Sequence, residues 1–167
     1  MPWMAQILFL MFGTIAEVVL ANYGLAIPLL GVGAFYFTMR HGAPQTLPGF
    51  LTAAAMTDAC WMHHFPSQVV MVLIVVGCSS AWRPYGDVNS GLSLALAGCC
   101  IGVIAWLARV MGMLAAANFS KGGFYLLQIL CVQVFIMIVI TPLLALSLNR
   151  LLRRSVTWLS AIAEEDD

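Results

Sequence analysis

Charge is what this chain has least of. Only 8% of its 167 residues are Asp, Glu, Lys or Arg, where a soluble domain carries about 25% to wet its surface. Half of those few (Arg150, Arg153, Arg154, Glu164, Glu165, Asp166 and Asp167) come after Asn149. The body before them is nearly charge-free, which excludes a soluble globular domain. A clustered basic surface of the nucleic-acid-binding kind is lacking too. The cysteines, Cys60, Cys78, Cys99, Cys100 and Cys131, show neither C-x-x-C nor zinc-ligand spacing, so neither a disulfide framework nor a metal site is expected. Catalytic signatures are missing as well: there is no G-x-S-x-G elbow, no H-E-x-x-H and no Walker loop. The expectation is a protein that is not an enzyme and holds no cofactor.

What the chain has instead is apolar length, with 62% hydrophobic residues. A bilayer span needs about 20 apolar residues, fewer where neighbours shield its ends. Read this way, the sequence predicts an all-α integral membrane protein with six transmembrane helices. The spans fall near 3–21, 23–39, 47–62, 66–82, 91–117 and 124–147, and a count of five is the alternative. The N-terminus lacks the Lys or Arg of a cleavable leader and reads as a retained first span. Asn22-Tyr23-Gly24, Arg40 to Gln45 and Arg83 to Asn89 read as turns or loops. The chain divides into a transmembrane domain, 1–149, and a basic amphipathic helix with an acidic tail, 150–167. Pro142 is expected to kink the last span.

Orientation follows from the cations. With six spans, Arg40, Arg83, Arg150, Arg153 and Arg154 fall on one side and Lys121 alone on the other. The positive-inside rule then puts both termini in the cytoplasm. Asn118-Phe119-Ser120, on the other side, matches a glycosylation acceptor, which would matter only in a eukaryote.

Three ionisable residues interrupt the spans: Glu17, Asp58 and Arg109. Each is costly in hydrocarbon, and at 1.5 Å per residue all three reach the outer layer. An ion-paired group between spans one, three and five is the expectation, with snorkelling to the headgroups as the alternative. A proton relay would need polar groups through the full thickness, and the inner half offers few. His63 and His64 follow Asp58 without the i, i+3 or i+4 spacing of a helical metal site. Span five carries small residues at four-residue spacing, Gly91 with Ala95, Gly98 with Gly102, and Ala108 with Gly112 and Ala116. That pattern suits close helix packing or contact with another subunit.

Several stretches resemble the MreD family, the small rod-shape-determining membrane proteins of bacteria. Arg40 leads through a short loop to Gly49-Phe50-Leu51 and a span holding Asp58. Lys121-Gly122-Gly123-Phe124 precedes the last span, and Thr141-Pro142-Leu143-Leu144 runs into Asn149-Arg150-Leu151-Leu152-Arg153-Arg154. The family's Gly-containing turn after the Asp is here Trp61 to Pro66, a departure. The resemblance implies an inner-membrane scaffold of the cell-elongation machinery. Its partners would be an MreC-like single-span protein, a RodA-type glycosyltransferase and a class B penicillin-binding transpeptidase, with MreB reached indirectly. The implied fold is similar to the substrate-binding subunit of energy-coupling-factor vitamin transporters. That likeness supplies the alternative, a solute-binding transporter subunit, although span one lacks the Ala-x-x-x-Ala spacing such subunits use for docking.

Overall fold

The computed structural model describes residues 2–22, 27–60, 65–86, 90–115 and 123–165. They form six helices and no strand: α1 (Pro2–Asn22), α2 (Leu29–His41), α3 (Ala43–Cys60), α4 (Ser67–Trp82), α5 (Gly91–Ala115) and α6 (Gly123–Glu165). Tyr23 and Gly24 of the expected first turn lie outside the described residues, as do His63-His64, the Asn118-Phe119-Ser120 acceptor, Lys121 and the last two acids. Met4–Asn22, Gly91–Leu114 and Gln128–Arg150 are long and apolar enough to cross a membrane. The chain is a membrane protein.

The shortest helix is the most enclosed. α2 has 13 residues, about 20 Å at 1.5 Å per residue, less than the ~30 Å hydrocarbon core. Every residue from Leu30 to Met39 is buried. A helix that is apolar all round belongs inside a protein, and α2 touches each of the other five helices. Phe9 on α1, Phe37 on α2 and Phe50 on α3 meet with ring centroids 5.8–6.2 Å apart, so three helices share one aromatic contact. The opposite condition holds on α1, where Met4, Ile7, Leu8, Met11, Phe12 and Ile15 are exposed. In water such a face would be a liability; in lipid it is solvated.

Contacts between numbered residues give the directions. Glu17 meets Leu30 while Phe9 meets Phe37, so α1 and α2 are antiparallel. Gln6 donates to the Thr46 carbonyl and Leu10 lies beside Gly49, so α1 and α3 run parallel. Asp58 meets Gln68, which makes α3 and α4 antiparallel. The bundle therefore has two ends. One gathers the starts of α2 and α4, the other the C-termini of α2 and α4 with the starts of α1 and α3.

The segment Arg40 to Gln45, expected as a loop, is a correction. Only Gly42 interrupts the helices. Its φ of 93° is closed to most side chains and lets the chain leave α2 and start α3 within one residue. Pro44 sits in the first turn of α3, where a missing N–H costs nothing. Gly and Pro are loop signals in a sequence, but here each occupies a helix end. The second span also begins later than expected, at Leu29, and the third earlier, at Ala43. α6 runs unbroken through Pro142 and across position 149 to Glu165.

α5 and α6 run antiparallel at their closest approach, because Gly98 faces Met137 and Thr141 while Gly102 faces Val134. A Cβ on Gly98 would strike the Met137 carbonyl oxygen of the facing backbone, whereas one on Gly112 would meet nothing within 4 Å. Gly98→Ala should therefore destabilise the protein by about 1–3 kcal/mol, the usual range for forced overpacking. Gly112→Ala should be neutral or slightly stabilising. Unfolding midpoints in mixed micelles check the contrast.

Candidate functional site: two carboxylates on two helix starts

Both α2 and α4 begin on a proline. Pro28 precedes α2 with φ −77° and ψ 72°, and Pro66 precedes α4 with φ −76° and ψ 67°. These are inverse γ-turn angles. The corresponding hydrogen bonds are present, Leu29 N–H to the Ile27 carbonyl at 2.9 Å and Ser67 N–H to the Phe65 carbonyl at 2.8 Å. Proline has no side-chain acceptor, and neither helix has a side-chain bond from its own N-cap. Their first free N–H groups need partners from elsewhere, since unpaired donors in an apolar setting are costly.

The preceding helix supplies them in both cases. Glu17 of α1, 5% exposed, accepts from the Leu30 N–H at 2.9 Å through Oε2. Asp58 of α3, 7% exposed, accepts from the Gln68 N–H at 3.0 and 3.1 Å and from the Val69 N–H at 3.0 Å. The Ser67 hydroxyl lies 3.4 Å from Asp58 Oδ1. A negative group at a helix N-terminus also meets the positive end of the helix dipole. Each hairpin is thus fastened by the same device, an acid late in one helix seated on the proline-led start of the next.

Gln68 joins the two. Its backbone N–H serves Asp58, and its side chain interacts electrostatically with Glu17. Arg109, partly buried on α5, interacts electrostatically with Glu17. Glu17, Asp58 and Arg109 therefore stand at one end of the bundle, around the start of α4. Reading the sequence pointed to these three residues but missed Gln68 and the two prolines. The signal was there: Ile27-Pro28-Leu29-Leu30 and Phe65-Pro66-Ser67-Gln68 each follow an acid within 11 residues and open an apolar helix.

The other expected site residues are placed as follows. Gly98 and Gly102 lie at the α5–α6 contact, and Gly112 borders open space. Arg150 is exposed on α6, while Arg153 and Arg154 continue that helix. Among the described residues no group of three His, Cys, Asp or Glu could hold a metal ion. At the opposite end, the Arg40 guanidinium donates to the Tyr36 hydroxyl at 2.9 Å and to Asn149 Oδ1 at 3.0 Å, tying α2 to α6.

Removing the Asp58 side chain would strand the Gln68 and Val69 N–H groups. Asp58→Ala should cost about 1–3 kcal/mol, as for a lost buried acceptor. Asp58→Asn keeps one acceptor oxygen and should cost clearly less. Glu17→Ala should be milder than Asp58→Ala, because fewer backbone bonds depend on it. Chemical or thermal unfolding in detergent gives the ranking, and equal losses for Asp58→Ala and Asp58→Asn would refute the capping role.

Comparison with known proteins adds no relative: no family model, no curated protein and no solved structure matches this chain.

Proposed function

We propose that this protein is a non-enzymatic scaffold in the bacterial inner membrane, crossing it six times with both termini in the cytoplasm. It serves the cell-elongation complex, as the resemblance of Arg40 to Arg154 to the MreD family suggests. The observation that carries the reading is the employment of Glu17 and Asp58. Both acids within the apolar helices are occupied by backbone N–H groups of the next helix, a use that fixes helix positions. The broad apolar faces of α1 and α6, with Phe12 and Phe135 each 70% exposed, offer lateral surface to lipid and to other membrane helices. Arg40, Arg83 and Arg150 gather at one end, which the positive-inside rule assigns to the cytoplasm.

A second reading, a substrate-binding subunit of a vitamin or solute transporter, is favoured by one feature. Gln133 of α6 is 5% exposed, and neither polar atom of its amide has a hydrogen-bond partner among the described residues, as in a side chain reserved for a ligand.

Affinity purification of the tagged protein from its native membranes, followed by mass spectrometry, separates the two. An MreC-like protein, a RodA-type glycosyltransferase and a class B transpeptidase are the expected companions. Paired ATPases with a large membrane coupling subunit would overturn the scaffold reading and make Gln133 the first residue to test for ligand binding.

A further inference from the structure

The end of the bundle opposite the carboxylates is built from cations. Arg40 lies in the last turn of α2, Arg83 follows the last residue of α4, and Arg150 sits on α6 next to Asn149. All three are exposed. Arg40 is held in place, since one nitrogen donates to both the buried Tyr36 hydroxyl and Asn149. That uses two of the five N–H donors of a guanidinium. The Arg83 guanidinium lies against Gly42, 2.9 Å from where a Cβ would stand, so the glycine leaves it room beside the α2–α3 junction. His41 stacks on Phe37 at 6.1 Å. Burial, and then the charges of Arg40 and Arg83, hold its pKa below the ordinary imidazole value.

No carboxylate answers these charges among the described side chains. The acids described there are Glu17 and Asp58, and both are at the other end. The C-termini of α2 and α4 contribute about −0.5 charge each and the starts of α1 and α3 about +0.5 each. The helix dipoles at this end therefore cancel and leave the three guanidiniums unbalanced. The depth of the cluster follows from α6, which carries no charged residue from Gly123 to Asn149 and then meets Arg150, Arg153 and Arg154, and the Asn149 bond brings Arg40 to the same level. Tyr85, 87% exposed just after Arg83, is the residue type that settles at a bilayer surface. The cations therefore stand where lipid phosphates lie.

We propose that Arg40, Arg83 and Arg150 form a binding site for the phosphate of an anionic phospholipid headgroup. Basic clusters between membrane helices at the interface bind such headgroups, each cation adding roughly fivefold in affinity. Arg40, fixed by Tyr36 and Asn149, supplies a preorganised donor set, which lowers the ordering cost of binding. Because its two anchors are on α2 and α6, an occupied site also braces the enclosed helix against the longest one. The inference needs only the membrane placement of this end and stands apart from the scaffold reading.

The test is native mass spectrometry of the detergent-purified full chain, titrated with phosphatidylglycerol, phosphatidylcholine or inorganic phosphate. Phosphatidylglycerol should be retained at least tenfold better than phosphatidylcholine, and inorganic phosphate should not compete at millimolar concentration. Arg83→Gln touches no described side-chain hydrogen bond and should fold, weakening phosphatidylglycerol retention about fivefold. Arg40→Gln should weaken it further. In a parallel NMR titration, phosphatidylglycerol should raise the pKa of His41 by offsetting Arg40 and Arg83, and phosphatidylcholine should not. Equal retention of the two lipids, or an Arg83→Gln variant that binds like the parent, would overturn the proposal. Competition by inorganic phosphate would instead assign the site to a soluble anion.

Discussion

A carboxylate seated on the first turn of the following helix is the contact on which this bundle depends. Glu17 on α2 and Asp58 on α4 solve one problem twice. A helix that starts inside an apolar environment presents free N–H groups that water cannot reach. Starting it on proline removes one such donor and fixes the approach of the chain, but leaves the N-cap without an acceptor. Borrowing the acceptor from the previous helix satisfies the donors and sets the relative height of the two helices at once.

That height setting matters most for α2. It is too short to cross a bilayer and is buried along nearly its whole length, so its position must come from its neighbours. Glu17 holds one end through the Leu30 N–H, and Arg40 holds the other through Asn149 on α6. Between these points Phe37 packs with Phe9 and Phe50. Polar contacts at the ends fix the register and dispersion along the length fills the space, a division suited to lipid, where apolar burial alone drives no association. The α5–α6 pair relies on the other resource available there, a glycine that lets two backbones meet.

The two ends of the molecule carry opposite chemistry. At one, acids meet helix N-termini; at the other, arginines stand at the C-termini of α2 and α4, favourably placed for the dipoles of both helices. The acids are inward and engaged, while the arginines are exposed. The difference has a physical basis. A short acidic side chain can be covered by backbone donors, whereas the five donors of a guanidinium are met most easily near phosphate and water; Arg109, partly buried beside Glu17, is the exception.

Composition alone determined that this is a helical membrane protein, because so few charges leave nothing to wet a soluble surface. The apolar runs located four of the helices within about four residues, but α2 starts six residues later than expected and α6 runs 18 residues past the expected span. The interruptions at Glu17, Asp58 and Arg109 pointed to one layer through simple counting of rise per residue. Only the tertiary structure decided what those residues touch. Glu17 lies 13 residues from Leu30 and Asp58 lies 10 from Gln68, separations with no helical period to announce them. The Arg40 to Gln45 segment was misjudged for a related reason, since Gly42 and Pro44 look alike in a loop and at a helix boundary until φ is known. Arg40 and Asn149 are 109 residues apart, and no local pattern links them. Periodicity is a property of one helix, while capping and register belong to pairs of helices, and pairs exist only once the chain has folded.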